Sequence, residues 1–186
     1  MEKLSFNDLP SLSFDTLRYP GTIGTVQDIA KNRYYQFDFD VYLKKFRFNL
    51  QREYVWTDKM AGEFILSVLL DKPIQPCYFN VKIDEDIAEC IDGKQRILSL
   101  LRFYKNEFPI VVNDKNYYYD DLDTNVQLRI KLYDVNAYQH YEHINDKSSI
   151  LSDEQKIEWF LFINCSNVPQ NAEHIYQLQR KIHACQ

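Results

Sequence analysis

The spacing of apolar residues along the chain changes several times, and each change predicts a different element of secondary structure. Between residues 57 and 71 the apolar residues recur at helical spacing, as on one face of an amphipathic helix. The chain then passes through two prolines into the short apolar runs CYFNVKI and IAECI, which predict a pair of strands. Residues 94–108 return to helical spacing, so a second helix should follow the second strand directly.

Local signals predict shorter elements on either side of this region. Thr25 and Asp28 have the arrangement of a capping box, and Thr57 is placed to cap the helix that follows it. The segment FRFNL alternates apolar and polar residues and predicts a strand, whereas FPIVVNDKNYYY predicts a hairpin. In chain order the remaining signals predict a helix at 121–132, an extended segment at 133–142, a helix from the Ser152–Gln155 capping box to about 163, a polar loop at 164–171 and a helix at 172–184.

Strands and helices are both predicted before residue 120 and mainly helices after it, which predicts a mixed α+β fold. We expect a small mixed sheet with helices packed around it, and the helix that contains Arg96 should pack on that sheet through its apolar face. Three segments are predicted: an N-terminal arm at 1–21, a core at 22–120 and a mainly helical C-terminal section at 121–186, packed on the core.

Composition narrows the classes of function. Apolar residues make up 45% of the 186 positions, enough for a hydrophobic core. The net charge of −5 disfavours broad, sequence-independent binding to nucleic acid, which needs an excess of lysine and arginine. No two of the four cysteines have the spacing of a zinc site, so we expect reduced thiols in a cytoplasmic protein. We also predict no signal peptide and no membrane-spanning segment.

The junction between the second strand and the second helix carries the sequence Asp92-Gly93-Lys94-Gln95-Arg96. A helix amino terminus has unpaired N–H groups and a partial positive charge, and a glycine there lets a ligand approach the backbone closely. A cation in the first helical turn is unfavourable unless an anion also binds, so the junction predicts a phosphate site. Asp92 would then hold a metal ion or orient a water molecule. The alternative is a solvated turn between strand and helix, in which the glycine is needed only for the backbone conformation and no ligand binds.

A second polar stretch, residues 51–56, ends with an aromatic side chain before the capped helix. Arg52 and Trp56, with Tyr54, could clamp a base or a phosphate through charge and stacking. The alternative is a tryptophan at the edge of the core and an arginine paired with a nearby carboxylate. A third stretch, residues 164–167, is predicted to be a small polar loop.

Taken together and in this order, the stretches FNLQREYVW, ILSVLLDKPIQPCYF, IDGKQRILSLLRFY and FLFINCSN resemble a known family. They are similar to the N-terminal domain of GmrSD-type, modification-dependent restriction proteins, which is described by a D-G-Q-Q-R motif and belongs to the ParB/sulfiredoxin-like group of folds. The resemblance covers residues 25–174, most of the chain.

The resemblance implies a domain that binds a nucleoside triphosphate with Mg²⁺ and hydrolyses it weakly or together with a partner. It also implies a setting in phage defence or counter-defence. Catalytic roles fall on Asp92, Gln95 and Arg96, with Asp92 also reaching the Mg²⁺ ion. Nucleotide or phosphate contacts would be made by Gln51, Arg52, Gly93, Lys94, Arg96 and Asn164. The residues themselves, rather than the resemblance, make Trp56 and Tyr54 the candidates for base stacking.

The chain departs from the family pattern in three places. Lys94 replaces the first glutamine of the central motif, and Ser166-Asn167 replaces a Gly-Gly pair after Asn164. The sequence also stops at Gln186, before the helical region and the histidine-rich nuclease domain of the longer members. We therefore expect a short stand-alone member that lacks the nuclease half.

Two other classes of function compete with nucleotide binding. One is a protein-interaction module or inhibitor that acts on a host defence system or a nucleic-acid enzyme. The other is a DNA-binding or DNA-nicking domain, which the net charge disfavours. Its candidate surface consists of Lys44, Lys45, Arg47, Arg52, Lys94 and Arg96 with Tyr54 and Trp56.

Overall fold

A computed structural model of the protein describes residues 21–165 and residue 180, and all elements named below lie within that part of the chain. The helices are α1 (Val26–Ala30), α2 (Asp58–Leu69), α3 (Lys94–Tyr104), α4 (Thr124–Lys131) and α5 (Asp153–Cys165). The strands are β1 (Gly21–Thr25), β2 (Gln36–Asp38), β3 (Tyr42–Leu43), β4 (Phe48–Asn49), β5 (Cys77–Lys82), β6 (Ile87–Asp92), β7 (Ile110–Val112), β8 (Lys115–Tyr117) and β9 (Asp134–Glu142).

Five of these strands form one mixed sheet in the order β1-β9-β5-β6-β2, and β3–β4 and β7–β8 form two small hairpins. The β1–β9 and β5–β6 pairs are antiparallel, whereas β9–β5 and β6–β2 are parallel. The predicted mixed α+β fold is confirmed. Membership of the ParB/sulfiredoxin-like group stays a prediction.

Strand β9 confirms the predicted extended segment and lies inside the sheet, between β1 and β5. Six of its nine residues pair with β5, from Cys77↔Ala137 to Lys82↔Glu142. The boundary predicted at residue 120 therefore cuts through the sheet, because the segment beyond it supplies one of the interior strands.

The two faces of the sheet are covered by different elements. Alternate residues of a strand point to opposite faces, so Phe79 and Val81 face one core while Tyr78 and Asn80 face the other. Helices α1–α4 cover the first face, with Ile97, Leu100 and Phe103 of α3 fully or almost fully buried. The predicted packing of this helix on the sheet is confirmed.

Helix α5 covers the second face together with the β3–β4 hairpin. Trp159, 1% exposed, packs edge-on against Tyr78 with ring centroids 6.2 Å apart. Ile91, at the far end of β6, and Leu43 of the hairpin belong to the same apolar cluster. The elements of this second layer converge on the carboxyl end of β6, where the strand meets α3.

A buried ion-pair cluster joins α5 to the sheet. The Glu89 carboxylate lies 2.7 Å from the ammonium groups of both Lys82 and Lys156, and it accepts a hydrogen bond of 2.8 Å from Asn80. Burial opposes ionisation of Glu89. The charge and hydrogen bond of Lys156, together with the hydrogen bonds from Lys82 and Asn80, outweigh this effect of burial. They hold the pKa of Glu89 below its ordinary value of 4.5.

Several local predictions are confirmed, and others need correction. Thr25, Thr57 and Ser152 each accept a hydrogen bond from a backbone N–H in the first helical turn. The predicted strand over FRFNL shrinks to the two residues of β4, because Arg47 adopts a left-handed conformation that turns the chain. Asn164 lies in the last turn of α5 rather than in a loop. The N-terminal arm before residue 21 and the helix at 172–184 lie outside the described residues.

Two further properties concern the environment of the chain. In the described part of the chain, no helix combines the length and the apolarity that a bilayer-spanning segment requires.

Cys77 and Cys90 are buried free thiols. Burial raises the pKa of the Cys77 thiol to about 11, so this group stays protonated at neutral pH.

The cap of α2 provides a simple test of the fold. Thr57 accepts a hydrogen bond from the N–H of Met60 at 3.3 Å. Replacing Thr57 by Ala should lower the free energy of unfolding by about 1 kcal/mol, because the N–H loses its acceptor. Thr57→Ser keeps the hydroxyl and should cost much less in the same urea titration. Equal losses in the two variants would contradict the capping role.

The ion-pair cluster predicts the acid side of the stability profile. Because the folded-state pKa of Glu89 lies below 4.5, its ionised form stabilises the fold above that pH and loses this effect as the pH falls through the folded-state value. Unfolding in urea, measured from neutral into acidic pH, should therefore depend less steeply on pH in Glu89→Gln. The exposed Glu63 of α2 is the matched control, and Glu63→Gln should keep the original slope.

Candidate functional site

The junction of β6 and α3 places a glycine where no other residue fits. Gly93 has φ +114°, and a Cβ atom added to it would lie 2.5 Å from Cys77 Sγ and 2.9 Å from Cys77 Cβ. The neighbouring strand is itself irregular, with a register shift between Tyr78 and Phe79. The tight turn therefore brings the amino terminus of α3 directly against the first residue of β5.

Asp92, the last residue of β6, forms a buried ion pair with Arg96 one turn into α3. The Arg96 Nη2 atom lies 2.6 Å from Asp92 Oδ2, and Nη1 donates to the carbonyl oxygens of Gln75 and Pro76. Burial raises the pKa of Asp92, and Arg96, Asn164 and the Gly93 N–H oppose that shift. The arginine thus links β6, α3 and the segment before β5.

Asn164 reaches the same carboxylate from the other side of the sheet. It is 5% exposed, and its Nδ2 donates to the Phe160 carbonyl at 2.8 Å in the last turn of α5. Its side chain also hydrogen-bonds to Asp92. Asn164 therefore contacts the junction from the last turn of α5, and its predicted contact with phosphate stays a prediction.

Two predicted phosphate ligands are engaged with protein groups. Lys94, 4% exposed, places its ammonium 2.6 Å from the Asp40 carboxylate. Gln51, 7% exposed, donates its amide to the Ile91 carbonyl. Both side chains tie the loops around β2–β4 to the end of β6.

Gln95 forms hydrogen bonds with backbone groups of residues 53–56. Its Oε1 accepts from the N–H of Val55 at 2.9 Å and of Trp56 at 3.4 Å, and its Nε2 donates to the Glu53 carbonyl at 3.0 Å. These three bonds hold the extended segment before α2 against the start of α3. The side-chain amide of Gln95, which was predicted to act in catalysis, is therefore engaged in hydrogen bonds with the backbone.

Arg52 differs from the other predicted ligands. Among the described residues it has neither a hydrogen-bond nor an ion-pair partner, yet it lines the cleft at the junction. Its predicted pairing with a nearby carboxylate is absent there. The residues that line this cleft of ≈ 50 Å³ are Gln51, Arg52, Trp56, Asp92, Gly93, Lys94, Gln95 and Arg96.

The two aromatic candidates separate in the structure. Trp56 lines the cleft and packs edge-on against Phe64, with ring centroids 5.5 Å apart. Tyr54 instead bonds to Ser99 Oγ at 2.8 Å and carries the Arg102 guanidinium 4.9 Å from its ring centroid. Tyr54 therefore belongs to the packing of α3, and only Trp56 remains beside the cleft.

The start of α3 offers backbone donors to the same cleft. The N-cap residue Gly93 has no side chain that could accept a hydrogen bond from the first N–H groups, and the first turn contains no acidic residue. The first N–H groups of a helix have no intrahelical acceptor, and the helix dipole adds partial positive charge there. Together with Arg52, these groups make the cleft suited to a small anion.

The sequence analysis missed Asp40, the acidic partner of Lys94. Asp40 lies in the loop after β2, 54 positions from Lys94, and it is itself largely exposed. The local sequence around an acidic loop residue does not indicate that the residue pairs with a lysine far away in the chain. Only the parallel pairing of β2 with β6 brings the two together.

Gly93→Ala tests the geometry of the junction. We expect a loss of at least about 2 kcal/mol in the free energy of unfolding, because the added methyl group would meet Cys77 in a backbone conformation that favours glycine. Gly21→Ala is the matched control, since its Cβ would make only an ordinary contact 3.5 Å from Gln139, and it should change stability by less than about 1 kcal/mol. Equal small effects in urea unfolding would contradict the close packing at the junction.

Comparison with protein-family models matches residues 41–183 to the N-terminal domain of the GmrSD restriction endonuclease. The matched region contains every residue that lines the cleft, together with Asn164. No curated protein and no solved structure matches the chain. The family match covers well over half of the 186 residues and points to a restriction-related setting. The chain therefore belongs to the family of GmrSD restriction endonuclease N-terminal domains.

Proposed function

We propose that the protein binds the phosphate groups of a nucleoside triphosphate at the amino terminus of α3. One observation carries this proposal: Arg52 lines the cleft and has no partner among the described residues, whereas the other cations of the cleft are paired. An arginine beside uncapped N–H groups is suited to bidentate recognition of phosphate.

We divide the predicted site into ligand-binding and supporting residues according to the contacts that each side chain makes with the protein. In this proposal Arg52 and the first N–H groups of α3 contact phosphate. Gln51, Lys94 and Gln95 maintain the walls through the contacts they make with protein groups. Arg96 contributes its charge from a position fixed by Asp92.

The size of the cleft limits how much of the nucleotide it takes. A space of ≈ 50 Å³ is far smaller than the ~300–1,000 Å³ of clefts that enclose whole small molecules. The phosphate groups therefore enter the cleft, while the ribose and base lie outside it along Trp56. Stacking on the indole would contribute affinity with little selectivity among bases.

A magnesium ion would arrive with the nucleotide. Asp92 is the carboxylate that lines the cleft, and in the described part of the chain no group of three metal-ligating side chains occurs. Mg²⁺ in nucleotide sites is commonly held by one or two carboxylates together with the phosphates, so Asp92 suits that role. Any hydrolysis would rest on positioning and charge stabilisation by the site, and we propose that it is weak or needs a protein partner of the restriction system.

Pairing of the basic residues favours a small ligand over DNA. In the surface considered for DNA, Lys45 pairs with Glu154, Lys94 with Asp40 and Arg96 with Asp92. Each pair neutralises a charge that a DNA backbone would need. The site therefore suits a compact phosphate group better than an extended polyanion.

A thermal-shift series with ATP, GTP, CTP and UTP, each with and without Mg²⁺, tests the proposal. A ligand that binds only the folded state raises the melting temperature by mass action. We expect at least one nucleotide to raise it, and Arg52→Ala should remove most of that shift without lowering the melting temperature of the free protein. The fold should tolerate this change because, within the described residues, Arg52 has no hydrogen-bond or ion-pair partner to lose.

The matched control is Arg47→Ala, which removes an exposed arginine outside the cleft and should leave the nucleotide shift intact. A shift that survives Arg52→Ala, or that falls equally in both variants, would show that nucleotide binding does not use this cleft. Absence of a shift with every nucleotide would overturn the proposal as a whole.

A further inference from the structure

Lys94 is the most deeply buried cation of the cleft at the start of α3, yet its partner faces solvent. The Lys94 side chain is 4% exposed, the Asp40 side chain is 57% exposed, and the ammonium and carboxylate groups lie 2.6 Å apart. Lys94 lines the cleft, whereas Asp40 does not. A buried ammonium without a counter-ion is costly, but an exposed carboxylate is readily hydrated. The pair can therefore separate when another anion takes the place of Asp40.

The hydrogen bonds of the Lys94 ammonium leave room for such an exchange. An ammonium group has three N–H donors, and within the described residues Asp40 Oδ1 is the acceptor that Lys94 uses. A phosphate group carries more negative charge than one carboxylate and offers three strong acceptor oxygens. Phosphate in the cleft is therefore a stronger partner for Lys94 than Asp40 is.

The turn that presents Asp40 is strained. Val41 has φ 49°, in the left-handed region that β-branched residues rarely adopt. The Asp38 carboxylate holds the turn by accepting from the N–H groups of Asp40 at 2.9 Å and of Val41 at 3.0 Å. Such a conformation persists only where surrounding contacts maintain it, and it often marks a segment that changes conformation. The contact with Lys94 is one of the contacts that keep this turn in place.

The same turn is bonded to the residues that precede Arg52. The Leu50 N–H donates to the Val41 carbonyl at 3.0 Å, and the Gln51 N–H donates to the Asp40 carbonyl at 3.4 Å. Arg52 follows directly in the chain and lines the cleft. The turn therefore contacts both sides of the cleft, Lys94 through a side chain and the Arg52 segment through the backbone.

We propose that Asp40 makes an autoinhibitory contact: its carboxylate occupies Lys94 in the empty cleft, and an entering phosphate group displaces it. The inference rests on the proposed phosphate site and extends it, because Lys94 is a wall residue while the cleft is empty and a phosphate ligand once it is filled. The contact lowers the affinity of the cleft for phosphate, since part of the binding free energy is used to displace Asp40. It also couples occupation of the cleft to the turn at residues 38–41.

Calorimetric titration with inorganic tripolyphosphate, which has the charge of the triphosphate without a base, tests the inference. Asp40→Asn keeps an oxygen acceptor for Lys94 but removes the competing charge, so the dissociation constant should fall at least about fivefold. Asp40→Glu restores the charge on an exposed side chain and should return the affinity toward that of the original protein. Glu53→Gln is the matched control, because this exposed carboxylate neighbours Arg52 in sequence but does not line the cleft, and it should change the affinity far less.

A double-mutant cycle separates competition for Lys94 from a general change of charge. Lys94→Gln removes the ammonium for which phosphate and Asp40 compete, so adding Asp40→Asn should no longer tighten binding. In ¹⁵N-labelled protein, tripolyphosphate should also shift the amide signal of Val41, because displacement of Asp40 alters the turn.

Two sets of outcomes distinguish this inference from the phosphate site on which it rests. Binding that depends on Arg52 but is unchanged or weakened in Asp40→Asn would overturn the autoinhibitory contact alone. Equal tightening by Asp40→Asn with and without Lys94, or a Val41 amide that does not move, would do the same. Binding that survives Arg52→Ala would contradict the proposed phosphate site, and tripolyphosphate that binds neither the original protein nor Asp40→Asn would overturn both.

Discussion

The burial of Asp92 is the constraint on which the arrangement of the junction depends. A carboxylate removed from water must gain charge or hydrogen bonds from the protein, or it raises the free energy of the fold. Arg96 from α3, Asn164 from α5 and the Gly93 N–H all meet this one group. Arg96 in turn holds the carbonyl oxygens of Gln75 and Pro76 before β5. One buried charge therefore fixes the start of one helix, the end of another and the entry to an interior strand.

Polar side chains at the junction stabilise backbone that has no place in a helix or sheet. The segment from residue 52 to residue 56 belongs to no helix or strand, so its amide and carbonyl groups need partners other than a helix or a sheet. Gln95 satisfies three of them, and Gln51 anchors the beginning of the segment to β6. The glutamine side chains that suggested contact with a ligand therefore form their hydrogen bonds with backbone groups of the protein. Arg52 and the uncapped start of α3 are then left facing the cleft.

The sequence predicted most elements and much of the site, and the failures have a common physical cause. Caps at Thr25, Thr57 and Ser152 were predictable because capping depends on residues within one helical turn. The place of β9 inside the sheet was not, because parallel pairing with β5 joins strands far apart in the chain. The Lys94–Asp40 pair follows from another long-range pairing, of β2 with β6. Residues that contact distant segments carried no local signal of their partners.

The position of β9 also determines when the chain can complete its sheet during synthesis. Strand β5 emerges from the ribosome well before β9, so one of its edges stays unpaired while α3, the β7–β8 hairpin and α4 are being made. The buried carboxylate of Asp92 likewise waits for Asn164, which is almost at the end of α5. A nascent chain released before β9 would expose an open strand edge, and one released before α5 would leave a sheet face uncovered; both features promote aggregation. The order of strands in this sheet thus delays the pairing of β5 until β9 has been made, and the second face of the sheet stays uncovered until α5 follows.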